Sequence, residues 1–344
     1  SEMCIRDRPD TASLMQVFTE GQQFSDLAVR PHERIALMRL LICIAQAALD
    51  GPEDIDAWDI APQTLPQSAK TYLEKWKPSF NLFDSQKPFI QIADVEKPQK
   101  EKSDKNPNSE TSIGKERGRK KRAEQNKDDE QTSLVRVSKL DFALASGVNT
   151  TLFDHHATAS TPRKFGHEWT ALNLLTFQNF SSSGRIGEAL WNKVKSAGGG
   201  SSSASPCLQN LMLHTFVRRE NLINTICANL MTQNQVSMYL SPNEWGKPLW
   251  EFPPNSGTDQ DAITNATETY LGRLVPLSRW IKIIDTSGTE MILANGFTYP
   301  GHPDRPADAS ATEIVVEVKQ KEERRLIKAD EKGIWRQLPA ILVK

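Results

Sequence analysis

Between Ile35 and Leu49 the chain is apolar at almost every position. Ile35, Leu37, Met38, Leu40, Leu41, Ile42, Ile44 and Leu49 leave almost no polar face, and only Arg39 and Gln46 interrupt the run. A helix over His32 to Leu49 therefore demands neighbours on most of its sides. Pro31 stands where a helix starts, since its missing N–H costs nothing there. Asp50-Gly51-Pro52 ends it, with Gly and Pro in their favoured places past a C-terminus. The run is too short and too polar to cross a bilayer, which takes about 20 apolar residues, so no membrane partner is expected.

The rest of the 344 residues must supply those neighbours, and a soft length prior gives about two domains or one large one. With 38% hydrophobic and 25% charged residues, the chain is too apolar to be wholly disordered. Lys and Arg number 42 against 43 Asp and Glu, a net charge of -1 with a pI near 6.6. That excludes a uniformly basic, histone-like protein but leaves room for a local basic patch. Cys4, Cys43, Cys207 and Cys227 are scattered with no CxxC pair. Neither a zinc ribbon nor a disulfide scaffold is expected, and the setting is read as reduced and cytoplasmic.

Further segments can be placed by pattern. A second helix is expected over Gln67 to Lys77, ahead of Pro78, and another over Glu168 to Phe180. Leu222, Ile223, Ile226, Cys227, Leu230 and Met231 repeat at helical spacing, a stripe best read as core packing. Trp280 to Ile284 and Glu290 to Ala294 flank the turn residues Thr286-Ser287-Gly288-Thr289. Glu313 to Lys319, Arg324 to Lys328 and Ile334 to Val343 follow as further strands of an antiparallel β-meander. Helices first and strands last give an α+β class. Residues 97–133 hold no aromatic, only Ile113 and Ala123 as aliphatics, and 11 Lys and Arg against 8 Asp and Glu. Such a segment buries too little surface to offset its ordering entropy and is read as a disordered insertion. Its KERGRKKR core at 115–122 reads as a solvated charge run or a phosphate contact. SAGGGSSSAS at 196–205 reads as a flexible linker. SEMCIRDR at 1–8 has no apolar period and reads as an artefactual leader. PAILVK at 339–344 is a strand-like run that suggests a fragment. Residues 9–344 would then form one N-terminal globular domain.

No P-loop, GxGxxG, HExxH or GxSxG motif occurs. The notable cluster is Leu152-Phe153-Asp154-His155-His156. Asp-His-His matches a metal corner of a DHH-type phosphohydrolase, with Asp54-Ile55-Asp56 as the upstream DxD. That site needs further converging carboxylates, and Asp54 follows a turn where the motif should follow a strand. Alternatively, Ser146-Gly147-Val148-Asn149-Thr150-Thr151 and the cluster form a nucleic-acid contact loop. Backbone N–H groups, hydroxyls and the Asn149 amide would then meet phosphates and base edges. In that reading Phe153 stacks or wedges, while His155 and His156 donate to phosphate. A third reading, which composition favours, has Phe153 filling the core beneath two surface histidines.

The chain resembles the CasA family, the large subunit of the type I-E CRISPR Cascade surveillance complex. The resemblance rests on RIALMRLLICIAQAALDGP (34–52), WKPSFNLFDSQKPFIQIADVEKP (76–98) and VSKLDFALASGVNTTLFDHH (137–156). ALNLLTFQNFSSSGRIG (171–187), SPCLQNLMLHTFVRRENLINTICANL (205–230) and GKPLWE (246–251) follow in family order. It implies a non-enzymatic subunit without cofactor or metal that tests double-stranded target DNA for a protospacer-adjacent motif. The subunit would help open the duplex and dock a helicase–nuclease effector, with crRNA and the other Cascade subunits as partners.

Carried over residue by residue, the family's long contact loop falls at Ser146 to His156. It contributes Asn149, Thr150, Phe153, Asp154, His155 and His156; Asp154 and His155 replace apolar and amide residues. The family's glycine-rich minor-groove loop falls at Ser181 to Gly187, here with Ser183, Gly184 and Arg185 at its centre and small residues that let a backbone come close. The minor-groove lysine of the family has no counterpart in Glu290 to Ala294; Lys282 is the nearest. The cysteine cluster that some members of the family bear in this region has no counterpart in this sequence. Its glutamine hairpin and C-terminal four-helix bundle would lie beyond Lys344.

Overall fold

Ser13 opens the first helix. Its hydroxyl accepts from the Gln16 N–H at 3.2 Å while the Gln16 side chain accepts from the Ser13 N–H at 3.0 Å, a reciprocal capping box. The computed structural model describes residues 11–97, 134–144, 164–184, 186–196, 203–239, 245–284, 286–300, 310–318 and 321–328. In chain order the helices are α1 (Leu14–Thr19), α2 (Pro31–Ala48), α3 (Ile55–Asp59), α4 (Ala61–Lys75), α5 (His167–Phe180), α6 (Leu222–Ala228), α7 (Gln233–Tyr239), α8 (Gln260–Glu268) and α9 (Tyr270–Leu274). The strands are β1 (Val95–Glu96), β2 (Leu134–Arg136), β3 (Leu190–Trp191), β4 (Val194–Lys195), β5 (Arg279–Ile283), β6 (Glu290–Asn295), β7 (Glu313–Val318) and β8 (Lys321–Leu326). The class is α+β.

The apolar run becomes α2, and its demand for neighbours is met by α4, α5, α6 and α9 packed around it. Leu40, Leu41, Ile42 and Ile44 are each at most 3% exposed, and burial at that level contributes roughly 2 kcal/mol per side chain. Asp50 takes the left-handed position at the helix end (φ 55°), so the Gly51 N–H reaches back to the Gln46 carbonyl at 2.8 Å. The two interruptions are both fully buried. Arg39 Nε donates to Asn179 Oδ1 (2.8 Å), Nη1 to Ser310 Oγ (3.2 Å) and Nη2 to the Arg273 carbonyl (2.5 Å). Gln46 Nε2 donates to the Met231 carbonyl and to the Tyr270 hydroxyl. Each polar residue thus stitches α2 to distant elements.

Some boundaries differ from the sequence pattern. The second long helix starts at Ala61 and runs through Pro66, which lacks an N–H for the ladder; burial of Leu65, Ala69 and Leu73 offsets that loss. The stripe from Leu222 stops being helical at Ala228, where Asn229 Nδ2 donates to the Thr225 and Val217 carbonyls. Leu230 stays buried just beyond.

The antiparallel strands lie in three sheets ordered β2-β6-β5, β1-β3-β4 and β7-β8. The expected meander is therefore divided. The β5 and β6 strands pair as a hairpin with Ile281 opposite Leu293, β2 covers the far edge of β6, and β7-β8 stands as its own hairpin. Ile92 N–H donates to the Ile281 carbonyl and Gln91 Oε1 accepts from Ile283 N–H, so the free edge of β5 is covered. Trp280 meets Trp191 edge to face at 5.3 Å, joining the first two sheets. A continuous apolar core reaches from Val17 to Tyr299. Residues 98–133 of the expected insertion and the Ile334 to Val343 strand lie outside the described residues, as do the first eight residues.

Two expectations test this account. Arg39→Met should destabilise the protein by about 3 kcal/mol, because several buried acceptors lose their donor; a urea midpoint equal to wild type would contradict it. His214, bonded to the Cys207 carbonyl and to Ser310 Oγ, is pushed down to about 4 by burial. The unfolded chain then binds the extra proton between pH 6.5 and about 4, so stability falls as pH drops through that window. His214→Gln should flatten that slope in denaturation curves taken at about pH 7, 6 and 5.

Candidate nucleic-acid interface

Helix α5 ends at Ser181, whose N–H returns to the Phe177 carbonyl at 2.9 Å. The chain then leaves the core. Ser181 is buried, whereas Ser182, Ser183 and Gly184 are exposed. Gly184 has φ 153° with open space where a side chain would begin, a backbone region that only glycine adopts readily. The segment next enters the β3-β4 hairpin, whose Asn192-Lys193 turn has positive φ at both positions, the geometry of a two-residue hairpin loop. Of the residues singled out in the sequence, Ser183 and Gly184 therefore sit together on an exposed loop. Arg185, Asn149, Thr150, Phe153, Asp154, His155 and His156 lie outside the described residues.

Beneath the exposed serines is a buried polar hub. Gln178 Oε1 accepts from the Arg279 N–H at 2.8 Å, and Gln178 Nε2 donates to the Arg279 carbonyl at 2.9 Å and the Ile90 carbonyl at 3.3 Å. Ser278 Oγ donates to the Gln178 carbonyl at 2.6 Å, and the hydroxyls of Ser205 and Ser278 meet at 2.7 Å. The Ser205 N–H donates to the Ser181 carbonyl at 2.9 Å. Arg279, 2% exposed, donates from Nε to Ser181 Oγ (3.0 Å) and from Nη1 to the Ser278 carbonyl (2.7 Å). Its Nη2 donates to the carbonyls of Ser182 (3.1 Å) and Ser203 (2.8 Å). Burial pushes its pKa down to about 10, so the guanidinium remains charged at neutral pH.

The flanks of the longer candidate loop are also placed. On the near side, Arg30 pairs with Asp141 at 2.8 Å and with the buried Glu33. Hydrogen bonding to Glu33 pushes the Arg30 pKa up. Phe142 stacks on Phe177 with centroids 5.5 Å apart, yet stays 43% exposed. On the far side His167 meets Phe83 edge to face at 4.8 Å, and Trp169 is half exposed. Sequence pattern did not single out Arg279, Gln178, Phe142 or Trp169. The one signal for Arg279 was a charge at the head of an apolar strand. Lys282 lies within β5 opposite Ile292.

The DxD letters of the phosphohydrolase reading serve another purpose. Asp54 caps α3, its carboxylate accepting from the Ala57 N–H at 2.9 Å. Among the described residues no group of three His, Cys, Asp or Glu is placed to hold a metal ion. No helix among them is long and apolar enough to cross a membrane.

Comparison with known proteins places this α+β scaffold among the CRISPR-associated proteins. The family model described as CRISPR-associated protein Cse1 matches residues 3–344, and the chain belongs to that family. It is 25% identical over 325 residues to the CasA/Cse1 protein of Thermus thermophilus, covering 91% of this chain and 52% of that protein. The structure of Thermobifida fusca Cse1 is similar with a TM-score of 0.68 at 21% identity, over 95% of this chain and 57% of the other. A chain of a CRISPR RNA-guided surveillance complex is similar with a TM-score of 0.64 at 15% identity, over 99% of this chain and 62% of that one. The chain thus spans about half to three-fifths of the length of these relatives.

Proposed function

We propose that the protein is the large subunit of a crRNA-guided surveillance complex of the Cascade type, working without catalytic chemistry of its own in the cytoplasm. It would test double-stranded target DNA for the protospacer-adjacent motif, aid duplex opening and help recruit the helicase–nuclease. Membership of the Cse1 family over nearly the whole chain is the observation that carries this reading. The exposed Ser182-Ser183-Gly184 segment over a buried cation suits close approach to a DNA backbone. Asn149, Thr150, Phe153, Asp154, His155 and His156 would supply the second contact, near the motif and the crRNA handle, with Arg185 beside the first. Base pairing with crRNA then reads sequence, and the protein reads the motif and the backbone. Minor-groove reading distinguishes A·T from T·A poorly, so several motif variants should be accepted.

The test is target binding by the protein assembled with crRNA and its partner subunits. Phe153→Ala and Gly184→Ala should each weaken binding of motif-bearing duplex by about tenfold, the scale of one lost stacking or backbone contact. Phe153→Ala should leave the thermal midpoint near wild type, whereas Gly184→Ala, at φ 153°, should lower it by a few degrees through backbone strain. Wild-type affinity in both variants would overturn the loop assignment. Affinity should also fall as salt rises, through release of counterions from the contacted phosphates.

A further inference from the structure

Arg279 is one of the few charged side chains in the deep interior, and it has no carboxylate partner among the described residues. An arginine carries five N–H donors in a rigid fork. Here the fork spans three stretches of chain: Ser181-Ser182 at the exit of α5, Ser203 at the far end of the glycine–serine stretch, and Ser278 at the head of β5. The first two stretches are runs of serine, with no large apolar side chain to wedge them into the core. Their placement must come from polar anchors. Arg279 is the anchor they share, with the direct Ser205 N–H to Ser181 carbonyl bond beside it.

We infer that Arg279 is a positioning residue for DNA recognition: its guanidinium sets the height and orientation of the Ser182-Ser183-Gly184 loop by clamping it to Ser203 and Ser278. This rests on the proposed function of that loop. Two consequences favour a polyanion on its outer face. The carbonyl oxygens of Ser182 and Ser203 are turned onto the guanidinium, which removes acceptors that would repel phosphate. The fixed positive charge also lies directly beneath the exposed segment. Lysine cannot replace arginine here, since an ammonium is a point donor that cannot span all three stretches.

The experiment compares Arg279→Lys, Ser181→Ala and Gly184→Ala in the assembled, crRNA-loaded complex. Two quantities are read: the ratio of affinities for motif-bearing and motif-less duplex, and amide hydrogen exchange at residues 182–184 relative to α2. Arg279→Lys should lower the ratio about tenfold, the scale of one to two lost charged hydrogen bonds. Exchange at 182–184 should quicken while α2 stays protected. Ser181→Ala, which removes one contact and keeps the charge, should shift both in the same direction by less; it decides the matter alone if Arg279→Lys does not assemble. An unchanged ratio and unchanged local exchange in the assembled variants overturn the inference. If Gly184→Ala lowers the ratio and the other two do not, the loop reads DNA without Arg279. If Gly184→Ala also has no effect, it is the proposed function of the loop that fails.

Discussion

The last turn of α5 carries two adjacent carboxamides, Gln178 and Asn179, both fully buried, and each fixes a buried arginine from a different part of the chain. Asn179 accepts from Arg39 of α2, while Gln178 brackets the backbone of Arg279 in β5. Leaving any of these groups unpaired would cost about 1–3 kcal/mol apiece. The helical and sheet halves of the core can therefore dock in only one register relative to α5. Apolar packing around α2 gives most of the cohesion, but it is non-directional. The carboxamide–arginine pairs supply the direction. They also fix where α5 stops, and so where the serine loop leaves the core.

This division explains what could be read from sequence. The apolar run over α2 is a local pattern, and so are α5 and the β5 and β6 strands; each appeared near its expected place. Arg39 and Gln46 were visible as interruptions, though their roles as internal anchors were not, because their partners lie far away in the chain. Arg279 shows the limit most clearly. Its contacts with Ser181 and Ser203 cross 98 and 76 residues of sequence, and nothing in Leu277-Ser278-Arg279-Trp280 announces them. The start of α4 was hidden for another reason. Pro66 reads as a breaker locally, whereas the tertiary burial of Leu65 and Ala69 overrides it. Pairing of β2 with β6 likewise joins segments that local periodicity cannot connect. For the candidate site, family-ordered motifs pointed to two candidate loops, and only Ser183 and Gly184 of the named residues fall where the fold can be described.

Near-neutral charge also takes on a specific meaning. A protein that holds nucleic acid by bulk attraction needs many exposed lysines and arginines, because each neutralised phosphate adds a small, salt-screened increment. This chain carries a net charge of -1 and places a cation where solvent does not screen it. Arg279 is satisfied by backbone carbonyls and a hydroxyl, so its charge is retained without a neutralising carboxylate among the described residues. The desolvation cost of that arrangement is met at folding, not at binding. Under the proposed function, a loop held in this way would have little conformational freedom left to lose on meeting DNA, so less of the contact energy would be spent on ordering it.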